Sequence, residues 1–271
     1  MNLGPSRPEE SNFAMNADTP ENPFSRFSVR ATWLDLRDAL SALCTPALIV
    51  FLILFALNLV RWRITPLNSL TGGLVLEDLF YEAVNAFLMT PYAIAVHRFI
   101  ILGERTMSYR IAPAEPRFQR FFGWSFALSV LAYEPVTIVD MLPGPTSLTF
   151  LLTAVLGIAA FVVGIRAIVL FPAIAVDAPG ANWRHALADT EGHAWDIFFV
   201  ILVAMLPFVI VMFVAAVAVV LLRAIVGDDV VAHEDFHAAY GAIMRFLSYT
   251  LAVVIASRLY QWIGIKVKEH D

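Results

Sequence analysis

The chain has 271 residues, 59% of them hydrophobic and 15% charged, with a mean hydropathy of +0.74. Soluble domains carry about 25% charged residues, so a water-soluble globule is excluded and length sets the number of membrane spans rather than of globular domains. The formal net charge of −5 comes mainly from carboxylates in the tail and loops, which leaves nucleic acid no basic patch to grip, and the single cysteine, Cys44, rules out an intrachain disulfide or a cysteine metal cluster.

Residues 1–26, with PSRPEES and ADTPENP, lack hydrophobic periodicity and have the polar, proline-containing bias of a disordered cytoplasmic tail. Their acidic character is unlike the short basic start of a cleavable signal, so no cleavage is expected. In SVRATWLDLRDALSAL, Val29, Trp33, Leu36, Leu40 and Leu43 recur at helical spacing, which predicts an interfacial amphipathic helix over 27–43. The remainder, 44–265, reads as one transmembrane domain. Its apolar runs predict spans at 44–60, 79–102, 121–142, 147–176, 196–222 and 240–264, before a short cytoplasmic tail at 266–271. The expected class is all-α, a polytopic membrane bundle of six transmembrane helices.

Six spans put both termini on one side. Arg98, Arg105, Arg110, Arg117, Arg120 and Arg184 then share that side with the basic residues of both termini, against Arg61, Arg63 and Arg223 opposite. Because basic residues favour the cytoplasmic face, this predicts cytoplasmic termini and a bacterial inner (plasma) membrane. The short turn LPGPTS makes spans three and four a tight antiparallel hairpin.

The stretch GIRAIVLFPAIAVD sets Arg166 about 16 Å ahead of Asp177 along a helix. A guanidinium at that depth calls for a partner inside the bundle, and Glu134, across the hairpin, is the expected one. The alternatives for Arg166 are a place on an ion or substrate path, or a lipid-headgroup contact. On the opposite side of the same helix, Gly157, Ala160 and Gly164 predict close helix approach and put span four in the middle of the bundle. Pro172 removes one intrahelical hydrogen bond and predicts a bend. On span two, Glu82, Asn85, Ala86, Met89, Ala93 and His97 form one stripe that should face inward. A small transporter could line a cavity with it, although neither a second midplane polar cluster nor an inverted repeat is evident.

VVAHEDFHAAY contains a literal H-E-x-x-H in His233, Glu234 and His237. On a helix that spacing offers two imidazoles to zinc with the glutamate as base, as in a membrane zinc peptidase. Asp235 charges a position that such motifs keep neutral, and the segment enters an outer loop beside Asp228 and Asp229. An acidic helix start is the better reading. No G-x-S-x-G, Walker loop or dinucleotide fingerprint is present, so neither an enzyme nor a cofactor or metal is expected.

After span four, PAIAVDAPGANWRHALADTEGHAW leads into a short helix begun by an Asn182 N-cap and stopped by Gly192. The pattern of Pro172, Asp177, Trp183, Thr190, Gly192 and Trp195, with His97, Arg98 and Glu104 in HRFIILGE, resembles a group of bacterial six-helix membrane proteins. These are similar to the membrane domain attached to some glycerophosphodiester phosphodiesterases. The chain has no room for the hydrolytic barrel of those enzymes, about 250 residues, so the resemblance implies the membrane fold without the activity. Trp183 and Trp195 would then be interfacial anchors. The expected function is a non-catalytic interaction, assembly or lipid-associated module whose partners are membrane lipids and possibly a membrane protein, with the oligomeric state left open.

Overall fold

The structure, a computed structural model, describes residues 28–68, 74–140, 146–226 and 234–268. The predicted tail at 1–26, most of the LPGPTS turn and His233 lie outside the described residues, as do the side chains of Glu134, Glu234 and His237. The described residues form α1 (Val29–Ala42), α2 (Cys44–Asn68), α3 (Leu74–Leu102), α4 (Pro116–Asp140), α5 (Thr146–Ala167), α6 (Leu170–Ala175), α7 (Trp183–Asp189), α8 (Ala194–Val226) and α9 (Glu234–Ile263), then a 3-10 turn at Lys266–Lys268. Helices α2, α3, α5, α8 and α9 are long and apolar enough to cross a membrane.

Helix α1 begins where the Ser28 hydroxyl accepts from the Ala31 amide, satisfying one of the first-turn donors that a helix leaves orphaned. It buries Thr32, Leu36 and Ala39 against the bundle. The centre of the bundle is α9, which packs on α1, α2, α3, α6 and α8 and buries Leu251, Val254 and Leu259 completely. It crosses α2 closely. A Cβ added at Gly241 would stand 3.2 Å from the Asn58 side-chain oxygen, and the flanking Ala238 and Ala242 are fully buried.

Span four is therefore not in the middle. Helix α5 packs on α4, α7 and α8, while Phe150, Leu151, Val155, Ile158 and Phe161 on it are exposed. Nor does it run on to Val176. It stops at Ala167 and restarts as α6 after a turn, where Pro172 lacks the N–H that would have bonded the Ile168 carbonyl.

Two further prolines lie inside α3 and α8, Pro91 and Pro207. Each has an aromatic donor on the carbonyl three residues before it. Tyr109 Oη donates to Leu88 at 2.5 Å and Trp33 Nε1 donates to Ala204 at 3.1 Å. The first bond shows that the segment 103–115, released by a left-handed Gly103 (φ 71°), doubles back along α3. Leu88 lies about 21 Å before the end of that helix at 1.5 Å per residue.

Candidate functional site

The inward stripe predicted on α3 is where the structure places it, with Ala86, Met89, Ala93 and His97 buried. It faces a partly open cavity of about 320 Å³ lined by α3, α4, α5, α6 and α9. Asn85 and His97 stand on one wall, Ser125 and Ser129 on α4, Gly164 on α5 and Tyr249 on α9. Among the described lining residues none is Asp, Glu, Lys or Arg. An apolar hollow of about 400 Å³ adjoins it between α4, α5 and α8, and the two share Leu128, Ala132, Gly164 and Ile168.

The hollow exists because the small face of α5 has no neighbour seated on it. A Cβ at Gly157 or Gly164 would meet nothing within 4 Å. The expectation that Gly157, Ala160 and Gly164 bring a second backbone close is corrected: small side chains left without an opposing ridge leave space instead.

Polar groups around the cavity are unequally satisfied. Ser257 gives its one hydroxyl proton to the Val253 carbonyl at 2.9 Å, so it accepts from His97 Nδ1 at 2.8 Å and Nε2 becomes the ring's acceptor. By the same logic Thr250, bonded to the Phe246 carbonyl, accepts from Tyr92 Oη. Asn85 differs, because its Oδ1 is buried with no hydrogen-bond partner. One turn away Glu82 pairs with Arg245 at 3.3 Å, whose guanidinium also stacks on Tyr81. Tyr81 Oη and Arg245 Nη1 are buried without partners too.

At the end of the bundle that carries α6 and α7, charges form a chain. Arg98 grips Glu104 with two bonds of 2.6 and 2.7 Å and donates to the Ala175 carbonyl at 3.1 Å. Asp177, held at a left-handed φ of 53°, lies 3.5 Å from Arg98 and 2.6 Å from Arg117. Arg120 donates to the Ala181 carbonyl. The paired bonds from Arg98 hold the Glu104 carboxyl below its usual range, and burial pushes the Tyr109 phenol up to about 12. Across α1, Asp35 pairs with Arg258 at 2.6 Å.

Arg166 sits in the last turn of α5 rather than mid-helix. Its guanidinium donates to the Leu187 carbonyl at 2.9 Å, and Thr190 is fully buried beside it. Asn182 caps α7 through the His185 amide, and Gly192 adopts φ 78°, both as the sequence predicts. Trp183 and Trp195 are exposed at the starts of α7 and α8. The loop motif thus ties helix ends together: Pro172 is buried in α6, Asp177 joins α6 to α4, and Thr190 joins α7 to α5.

The structure brings Arg98, Glu104 and Asp177 together and adds Arg117, which sequence reasoning did not single out. Asp35 was missed as well. The signal for it was Arg258 inside an apolar run, which demands an acid without saying which. Among the described residues no group of three or more metal-binding side chains occurs. No protein-family model, curated protein or solved structure matches the chain.

Proposed function

We propose that this is a non-catalytic, lipid-associated module of the bacterial inner membrane, with α4 as a sixth span and both termini in the cytoplasm. The observation that carries the reading is the uncharged cavity leading through Gly164 into an apolar hollow beside the most exposed helices, α5 and α8. Cavities of roughly 300–1,000 Å³ with apolar walls and a few placed polar groups are the usual form of a site for a small molecule. One that adjoins lipid-facing helices suits an acyl chain. The charge chain through Arg98, Asp177 and Arg117 lies at the end where the six-span topology puts the cytoplasm.

Transport has less support. Arg166 is not in the cavity wall, and the Glu82–Arg245 pair lies outside that wall also. Lipid analysis after purification in a mild detergent tests the module. The native protein should retain a lipid in stoichiometric amount, and Gly164→Trp, which fills the passage, should lose it while remaining folded. Equal lipid content in both proteins would defeat the reading.

A further inference from the structure

Apart from the uncharged cavity, a pocket of opposite character lies beside the end of α3. It measures about 210 Å³ and is walled by the doubled-back segment 103–115 and by Pro91, Ile94 and Arg98 of α3. We propose that this pocket binds the phosphate of an anionic phospholipid headgroup, with Arg105 and Arg110 on its oxygens and the acyl chains outside, against Leu102, Met107 and Ile111. The proposal rests on the membrane reading of the chain and not on the acyl site beside Gly164.

Charge selects the headgroup. Arg98, Arg105, Arg110 and Arg117 all line the pocket. Arg98 is engaged by Glu104, and Arg117 by Asp177 and Glu115. Arg105 and Arg110 have no acidic partner among the described residues. Four guanidiniums thus meet three carboxylates, and the positive charge left over sits on the two arginines of the segment. A guanidinium presents a planar fork of donors that matches two phosphate oxygens at once, and both forks here are free. The Ser108 hydroxyl adds a donor, because its contact with Thr106 is long, at 3.3 Å. Glu104 and Glu115 are each held by an arginine, so the ammonium of a zwitterionic headgroup finds no free carboxylate.

Size and place select the source of the phosphate. Sites that enclose a whole small molecule run to roughly 300–1,000 Å³. This pocket is smaller, so it takes a headgroup and leaves the rest of the ligand outside. It lies at the end of the candidate span Leu79–Leu102, where Leu102, Met107 and Ile111 are all exposed. Apolar side chains set among free arginines are the composition of a surface at the boundary between headgroups and acyl chains. A soluble phosphate ester would occupy the arginines and leave those three side chains uncovered.

Native mass spectrometry of the full chain in detergent tests this, with dioleoylphosphatidylglycerol titrated against dioleoylglycerol, which has the same chains and no phosphate. The native protein should prefer the phospholipid about thirtyfold, as expected of two arginines near an anionic lipid, and should bind dioleoylphosphatidylethanolamine more weakly than the glycerol headgroup. Arg105→Gln with Arg110→Gln should remove the preference. Arg30→Gln with Arg184→Gln, which takes the same charge from elsewhere, should leave it. Arg105→Lys with Arg110→Lys should recover only part of it, because an ammonium lacks the fork. Gly164→Trp should keep it whole, and soluble glycerol phosphate should not displace the lipid. Absence of the preference in the native protein, equal binding of the ethanolamine lipid, equal loss in both glutamine pairs, or full recovery with lysine would overturn the pocket and leave the cavity reading in place. Loss of the preference in Gly164→Trp would move the phospholipid to the cavity and overturn the pocket also. Displacement by glycerol phosphate would give the site to a soluble ester and overturn the lipid assignment.

Discussion

Asp35 and Arg258, 223 positions apart in the chain, meet at 2.6 Å where α1 crosses the end of α9. The pair lashes the amphipathic helix to the centre of the bundle. Both side chains are partly exposed, so Asp35→Ala should cost about 2 kcal/mol, short of the roughly 3–5 for a fully buried pair. In a Cys44→Ser background, Leu36→Cys, which is 5% exposed beneath α1, should react slowly with a maleimide. Adding Asp35→Ala should speed that reaction, and adding Arg258→Leu to the pair should slow it again. Labelling indifferent to Asp35 would show that packing alone holds α1.

Glu104 carries a pH signature at the other edge of the same surface. Its pKa is lowered first by the hydrogen bonds from Arg98 and then by the Coulomb attraction of Arg98 and Arg117. A carboxyl whose pKa falls on folding binds fewer protons in the folded chain than in the unfolded one. Its contribution is complete above its ordinary value of 4.5 and is lost as acid takes the pH down through the lowered one. Limited proteolysis should find residues 103–115 protected at neutral pH, with that protection weakening only once the pH falls below the ordinary value of 4.5. Glu104→Gln should remove that step and leave the segment less protected throughout.

The sequence carried some of this and not the rest, and the division has a physical cause. Periodicity along one helix is local information, so the α3 stripe and the caps at Asn182 and Gly192 are read directly. Which helix faces that stripe is not local. Arg166 is expected to meet Glu134 because a hairpin makes neighbours of spans three and four, and the Glu134 side chain lies outside the described residues. What the order of the spans does not state is that Arg166 reaches the Leu187 carbonyl, because the helix ends one residue later. Arg245 and Arg258 found their acids on α3 and α1 only because α9 occupies the middle. Nothing in the order of the spans states that.

The donors at Leu88 and Ala204 should act alike. Each proline removes the bond to the carbonyl four residues before it, Phe87 for Pro91 and Val203 for Pro207, and the next carbonyl along has a second lone pair for an outside donor. Tyr109 and Trp33 supply donors to the carbonyls three residues ahead of Pro91 and Pro207. Tyr109→Phe and Trp33→Phe should each cost about 1 kcal/mol, the net value of a hydrogen bond, read as lowered melting in detergent. The Tyr109 phenol has a raised pKa because of burial. Its contribution is therefore whole below the ordinary value of 10.0 and fades as the pH climbs through about 12. Tyr109→Phe should flatten the alkaline limb of the melting profile. A profile unchanged in Tyr109→Phe would mean that the Leu88 bond contributes nothing.

Two glycines separate close packing from empty space. At Gly241 a Cβ would press on Asn58, and that oxygen has little room to retreat because the Asn58 amide is fixed to the Leu54 carbonyl at 2.8 Å. Gly241→Leu should therefore force α2 and α9 apart at a cost of about 1–3 kcal/mol, the range for overpacking. Gly157→Leu puts the same side chain into a hollow with nothing within 4 Å and, in protein stripped of lipid, should be neutral or slightly stabilising. Helix propensity pushes both substitutions the same way, since leucine is the better helix former by nearly 1 kcal/mol. A difference in sign between their melting shifts isolates the packing. Equal shifts would mean that the α2–α9 crossing is looser than the Gly241–Asn58 approach implies, or that the hollow beside Gly157 is closed.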